Sequence, residues 1–148
     1  MRNIYEYENI IPQKTLSKIK KTLFNNKKAS VKFRDSQWVG FDSIAKASVS
    51  FPKKTYIESL TIGYLVDSKS WIFPPEQVTL YLNDKDIINV NIPALATKEI
   101  VQLDDVKIPI KKELKTLTIQ VTNVQKLPEW HPGKGAKAWL FMDEWIFN

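Results

Sequence analysis

The chain contains no cysteine, which excludes a disulfide framework, a thiolate zinc site and a cysteine nucleophile. It has a single histidine, His131, so a metal site built from several histidines is excluded as well. The four glycines (Gly40, Gly63, Gly133 and Gly135) form no phosphate-cradling loop, and no Gly-x-Ser-x-Gly elbow for a nucleophilic serine occurs. These absences lead us to predict that the chain is not an enzyme.

Paired carboxylates are the remaining route to hydrolytic chemistry. Glycoside hydrolysis needs two carboxyl groups that face each other across a cleft. The adjacent acids Asp143 and Glu144 lie in an apolar stretch that is typical of a strand, where neighbouring side chains point to opposite faces. This pair therefore cannot serve as a catalytic couple.

Arginine and long apolar runs are also scarce. Only Arg2 and Arg34 carry the forked guanidinium that favours phosphate recognition, although the net charge is +6. The lysines are scattered in pairs beside expected turns, so we predict no nucleic-acid partner. No run approaches the roughly 18 apolar residues of a membrane span, and residues 1–8 carry two acids and no secretory signal. The chain is then either cytoplasmic or a segment of a longer exported protein.

Alternation of apolar and polar residues is the dominant local pattern. It runs through residues 48–51, 60–64, 78–82 and 117–121, each of which offers one apolar face to a core. Turn-forming residues at 51–54 and 73–76 end strands, and 83–86 predicts a tight hairpin, whereas residues 13–24 have a brief helical spacing. The pattern predicts one all-β domain, a sandwich or a barrel.

The five tryptophans fall into two groups. We expect Trp139 and Trp145 in an apolar C-terminal strand, and Trp38, to enter the core. Trp71 and Trp130 are surrounded by turn residues, and binding residues concentrate on loops held by a rigid scaffold. An indole offers apolar area and a polar handle, which suits a sugar ring with its C–H patches and hydroxyl rim. The alternative is that both rings fold back and close the end of the sandwich.

Four segments carry a resemblance to a known family. They are Ile-Gly-Tyr-Leu-Val-Asp (62–67), Ser-Trp-Ile-Phe-Pro-Pro-Glu-Gln-Val (70–78), Leu-Pro-Glu-Trp-His-Pro-Gly (127–133) and Lys-Ala-Trp-Leu-Phe-Met-Asp-Glu (137–144). Together they resemble the discoidin-like (coagulation factor 5/8 type C, galactose-binding-like) domain at the C-terminus of Bacteroidetes β-N-acetylhexosaminidases and related glycoside hydrolases. The resemblance covers roughly residues 20–148.

The resemblance implies a jelly-roll β-sandwich of about eight antiparallel strands, with residues 1–148 as a single domain. Residues 1–20 belong either to the sandwich or to an inter-domain connection. It further implies a non-catalytic accessory module of a secreted glycoside hydrolase, whose catalytic domain lies in the same longer, exported chain. Such a protein would be periplasmic, on the cell surface or secreted. Its partner would be a glycan, and the alternative is a structural domain that docks on the catalytic domain without binding a ligand.

The expected glycan site comprises Trp71 and Trp130, which would stack on a sugar, and His131, which would hydrogen-bond a hydroxyl. Lys69 would favour an anionic sugar, as would Lys134.

The resemblance also implies a structural calcium held by Asn25, Ser30 and Glu144. Similar domains have Leu-Thr-Asp-Gly where this chain has Leu-Phe-Asn-Asn (23–26). The amide at Asn25 removes one unit of the negative charge that calcium favours, so this calcium site is expected to be weak or absent.

Overall fold

Antiparallel strands make up most of the chain in this computed structural model, which describes residues 6–9, 39–95 and 100–148. Those residues form seven strands and one 3-10 turn, with no α-helix among them. In chain order the elements are β1 (Glu6–Asn9), β2 (Val39–Phe41), β3 (Ala45–Asp67), the 3-10 turn (Ser68–Ser70), β4 (Gln77–Leu82), β5 (Asp86–Asn91), β6 (Val101–Thr122) and β7 (Leu140–Phe147).

A ribbon of the two long strands β3 and β6 organises the fold. It pairs Ala45 with Val121 at one end and Asp67 with Val101 at the other. Its register shifts twice, between Ser50 and Thr55 and again between Ile57 and Ser59, and such irregularities bend and twist a strand pair. One half of the ribbon carries β1, β4 and β5, and the other half carries β7 and β2.

The bend folds this sheet into two layers with one core between them. The first layer consists of β1, β4, β5 and the adjoining half of the ribbon. Along its part of β3 and β6 every second residue is buried, and on β7 the buried Leu140 and Met142 complete the opposite wall. The inward-facing residues of the first layer are Ala45, Ala47, Val49, Val78, Leu80, Leu82, Leu117, Ile119 and Val121, all less than 3% exposed. The predicted all-β antiparallel sandwich is confirmed, and the described residues supply seven of its strands.

Two of the three turn predictions are confirmed and one is wrong. Residues 73–76 separate the 3-10 turn from β4, as expected. Asn83 and Asp84 both have positive φ and the Lys85 N–H donates to the Leu82 carbonyl at 3.0 Å, which is a type I′ hairpin turn. The predicted strand end at residues 51–54 is wrong because β3 continues through Pro52, which lies at the first register shift, where a missing N–H is tolerated.

Several sequence predictions lie outside the described residues. These are the helical spacing at 13–24, the role of residues 1–20 apart from β1, which pairs with β3, and the core position of Trp38. Across the described part of the chain, no helix has the length and hydropathy that crossing a membrane requires.

Candidate functional site

The first loop of the candidate site links β3 to β4 and is closed at its base. Asp67 and Ile72 exchange backbone hydrogen bonds of 2.9 and 3.0 Å, and the Ser70 N–H donates to the Asp67 carboxylate at 3.4 Å. Trp71 ends the 3-10 turn with φ of 66°, a left-handed conformation that is strained for a bulky residue. Its N–H donates to the Ser68 carbonyl at 3.1 Å. This backbone holds Trp71 outward, and the residue is 39% exposed.

The second loop lies between β6 and β7 and is also closed at its base. The Leu127 N–H donates to the Ala136 carbonyl at 2.8 Å, and the Gly135 N–H donates to the Leu127 carbonyl at 3.0 Å. Within the loop, His131 receives a 3.0 Å bond at its carbonyl from the Lys134 N–H and donates its own N–H to Pro128 at 3.0 Å. The prolines and glycines of this segment are therefore used in consecutive tight turns.

His131 joins the two loops. Its Nε2 lies 2.6 Å from the Ser68 carbonyl oxygen, and the Gly133 N–H donates to its Nδ1 at 2.9 Å. A carbonyl only accepts and an N–H only donates, so Nε2 carries the proton and the ring is neutral. The residue is 4% exposed. Because both ring nitrogens bond to other atoms of the chain, His131 positions the two loops. Neither nitrogen is then left to hydrogen-bond a sugar hydroxyl, the role expected from the sequence.

Trp71 occupies space that Gly133 leaves open. A Cβ added at Gly133 would lie 2.7 Å from Cζ2 and Cη2 of the Trp71 indole. The Trp71 ring also meets His131 edge-on, with centroids 5.7 Å apart. The glycine and the imidazole together fix the position of the exposed indole.

Trp130 is half-buried and packs inward. Its ring stacks on Phe73 with centroids 5.9 Å apart and an interplanar angle of 22°, and it meets His131 edge-on at 5.8 Å. It caps a small buried cluster that includes Leu127 and Ala138. The structure thus brings Trp71, Trp130 and His131 together and gives Trp130 mainly a packing role.

Trp139 is a further residue of the candidate site, and it was not predicted from the sequence. It was expected in the core, and this is wrong because it is 41% exposed. Its N–H donates to the Trp71 carbonyl at 2.7 Å, so the two exposed indoles branch from directly hydrogen-bonded residues. The signal was present in the sequence, since Ala138, Leu140 and Met142 are buried on one face and alternation places Trp139 on the other.

Charged side chains lie on the same two loops. Lys69 is exposed in the 3-10 turn beside Trp71. In the second loop, the exposed Lys134 ammonium lies 3.4 Å from the Glu129 carboxylate. An exposed pair of this kind contributes little to stability and is readily rearranged by a ligand.

The predicted calcium ligands cannot be assembled from the described residues. Asn25, Ser30 and the side chain of Glu144 lie outside the described residues. Only the backbone of Glu144 is placed: it lies in β7, paired with Gly63 of β3. Among the described residues no three His, Asp or Glu side chains cluster as a metal site would require. The calcium site therefore stays a prediction from sequence.

The two loops present exposed indoles on a hydrogen-bonded, two-loop scaffold. An indole held in this way supplies a flat apolar surface without the entropy loss of ordering a mobile side chain. Neighbouring ammonium and carboxylate groups supply hydrogen bonds to a polar rim. The arrangement can bind a ligand that is apolar on its flat face and polar at its edge.

Comparisons with known proteins find structural likeness and no sequence relatives. No family model matches the chain, and no curated protein matches it. One similar solved structure is CpGH89CBM32-4 from Clostridium perfringens in complex with glcNAc-alpha-1,4-galactose. It is 14% identical, the match covers 70% of this chain and 66% of that one, just under two thirds of its length, and the TM-score is 0.39. Another is a pectin-binding carbohydrate-binding module, 9% identical over 98% of this chain and 90% of that one, with a TM-score of 0.47.

Proposed function

We propose that this domain is a non-catalytic carbohydrate-binding module that stacks a sugar on Trp71 and Trp139. The observation that carries the proposal is the pair of exposed indoles on hydrogen-bonded neighbouring residues at one end of a rigid sandwich. Exposed aromatic area of this kind marks interaction sites. A pyranose ring has an apolar C–H face for the indole and equatorial hydroxyls for Lys69 and the loop backbone.

His131 has a positioning role in this proposal. It holds the Ser68 carbonyl and the Gly133 amide, and these two residues determine where the Trp71 indole lies. Trp130 stabilises the same loop from below by stacking on Phe73. Lys69 lies beside Trp71 and would add a hydrogen bond or an ionic contact to the sugar.

We further propose that the module is an accessory part of a longer, exported glycoside hydrolase. The support is the resemblance of segments 62–67, 70–78, 127–133 and 137–144 to accessory domains of such enzymes. The catalytic domain would then be brought to its substrate by the binding loops.

A structural role is the second candidate, and one observation favours it. Trp130 and His131 are used inside the chain, so two of the four predicted site residues already have packing functions. In this account Trp71 and Trp139 would contact a neighbouring catalytic domain, since an exposed apolar patch also suits a protein interface.

A glycan array probed with the domain and three variants distinguishes these candidates. Trp71→Ala and Trp139→Ala should each lose about tenfold or more in affinity for the sugar that binds, because each removes one stacking surface. Tyr56→Ala is the matched control, since Tyr56 is an exposed aromatic residue near the bend of the ribbon, even more accessible than the two tryptophans.

Thermal unfolding should first show that all variants fold, so that a loss of binding can be assigned to the site. Binding that survives in Trp71→Ala and Trp139→Ala would contradict the proposed site. A folded domain that binds no glycan would contradict the proposed function and leave the docking role.

A further inference from the structure

The outer face of the first layer is almost entirely polar. Its side chains, which are half-buried except for the buried Thr79, alternate with the core residues of β3, β6 and β4. They are hydroxyl, amide and amine groups with one aromatic ring, and they are Lys46, Ser48, Thr118, Gln120, Gln77, Thr79 and Tyr81. Apart from the Tyr81 ring and the exposed Ile87 of β5, this face offers little apolar surface to bury against a protein helix, so the occupant it suits is a hydrogen-bonding one.

A groove crosses this face beside the β4–β5 hairpin. Ser48, Thr118, Tyr81 and Ile87 occupy successive cross-strand positions on β3, β6, β4 and β5. At the usual strand spacing this row is about 14 Å long, the length of a short oligosaccharide. The groove has a volume of about 420 Å³, within the range of small-ligand sites. The Ser48 and Thr118 hydroxyls are 2.9 Å apart and can turn to a ligand.

Lys46 gives the floor of this groove its charge. Its ammonium lies 5.8 Å from the centre of the Tyr81 ring, a cation–π arrangement. Among the side chains that the structure describes, no carboxylate forms an ion pair with it.

The charges at the hairpin rim are balanced. The Asp86 carboxylate bonds Lys112 at 2.6 Å, and Lys112 lowers the pKa of Asp86, with Lys85 adding to the effect. Lys85 and Asp84 carry opposite formal charges, and both are exposed. Among the side chains that the structure describes at the groove and its rim, three ammonium groups (Lys46, Lys85 and Lys112) stand against two carboxylates (Asp84 and Asp86). Those groups carry one net positive charge, and Lys46 is the cation on the sheet face, where it is complementary to an anion.

We infer that this groove is a second carbohydrate site, separate from the loops, and that it binds an acidic oligosaccharide. The anionic group of one sugar contacts Lys46, the Tyr81 ring contacts a neighbouring sugar, and the Ser48 and Thr118 hydroxyls bond the ring hydroxyls. The inference stands on the groove and its charge and does not depend on the tryptophan loops.

Calorimetric titration with tetragalacturonate at physiological salt tests the inference. Its methyl ester is the neutral match, and a sulfated galactose tetrasaccharide distinguishes a carboxylate ligand from a sulfate ligand. We expect one of the two acidic probes to bind and the ester to bind about tenfold more weakly, because the charge-assisted contact to Lys46 is lost.

Substitutions then locate the site. Lys46→Gln should weaken binding about tenfold and Lys46→Arg should largely restore it, since only the charge is required. Lys107→Gln is the matched control, because Lys107 is exposed on the other layer. Loss of this affinity in Trp71→Ala would place the acidic probe on the loops and contradict the groove.

Three further results would overturn the inference: no binding of either acidic probe, equal binding of the ester, or equal losses in Lys46→Gln and Lys107→Gln. The last would indicate general attraction of polyanions. As a check that needs no variant, amide chemical shifts of Tyr81 and Thr118 should move on titration, and shifts confined to the loops would contradict the groove.

Discussion

The Nε2 atom of His131 lies 2.6 Å from the carbonyl oxygen of Ser68, and this contact ties the loop after β3 to the loop before β7. The second ring nitrogen accepts from the Gly133 N–H inside its own loop. A buried imidazole with both nitrogens bonded is a cross-link between two segments that are distant in sequence. The predictions for the site follow from this contact and its neighbours.

His131→Ala should destabilise the domain by about 2 to 4 kcal/mol. It leaves the buried Ser68 carbonyl and the Gly133 N–H without this partner and opens a cavity. Lys134→Ala in the same loop is the control, because it removes only an exposed ion pair worth less than about 1 kcal/mol. Urea unfolding measures both, and equal losses in the two variants would refute the cross-linking role.

Gly133→Ala should weaken glycan binding by displacing the Trp71 indole, whose Cζ2 and Cη2 lie 2.7 Å from the added Cβ. Gly135→Ala is a contrasting control. Gly135 has φ of 85° and open space around it, so the alanine should cost about 1 kcal/mol of backbone strain without moving Trp71. Affinity on the glycan that the array identifies, measured beside thermal unfolding, should separate the two. A Gly133→Ala variant with native affinity would show that the indole position is not critical.

Trp139→Ala and Trp145→Ala should have opposite consequences. Trp145 is 1% exposed, so its truncation should cost about 3 to 5 kcal/mol of stability. Trp139 is 41% exposed, so its truncation should cost under about 1 kcal/mol and act on binding instead. Denaturant unfolding gives the first quantity and glycan titration the second. A large loss of stability in Trp139→Ala would indicate that Trp139 packs in the core, as the sequence predicted.

Trp139 and Trp145 show how much of the fold and of the site can be predicted from the sequence. Alternation identified the strands and the all-β class because the side-chain period of a strand is two. The same rule applied to residues 138–142 would have predicted an exposed Trp139. The alternation is hard to see there because all five residues are apolar. The role of His131 could not be predicted, because its partner Ser68 is brought near only by the tertiary fold. The strand end predicted at Pro52 was wrong for a related reason: the bend of the ribbon, a tertiary feature, accommodates the proline within β3.

Stability should fall at alkaline pH through Tyr64. Burial, with Asp104 and Asp105 nearby, raises the pKa of its phenol to about 12. The folded state therefore holds this proton more tightly than the unfolded chain. The resulting stability is fully present below about pH 10 and is lost as the pH rises to about 12, by about 2 to 3 kcal/mol. Urea unfolding of the native protein and Tyr64→Phe across this range tests it, because lysine titration is common to both. Parallel profiles would contradict the assignment.

Calcium should raise the melting temperature if Asn25, Ser30 and Glu144 bind it as the resemblance implies. Binding to the folded state alone stabilises it by mass action, and a chelator should reverse the effect. Asn25→Asp should enlarge the shift by restoring carboxylate charge, whereas Asn25→Ala should abolish it. A calorimetric melt that neither calcium nor chelator changes would remove the predicted site.

The β3–β6 ribbon belongs to both layers of the sandwich, so the layers share the same pair of hydrogen-bonded strands. Neither layer can separate without breaking bonds that the other also depends on. The domain should therefore open as one cooperative unit, and slowly exchanging amides in the two halves of β3 should report the same opening free energy. Because strands distant along the chain must meet before the ribbon can form, folding is expected to be slow and concerted. The loops at the end of β3 gain their rigidity from this shared backbone.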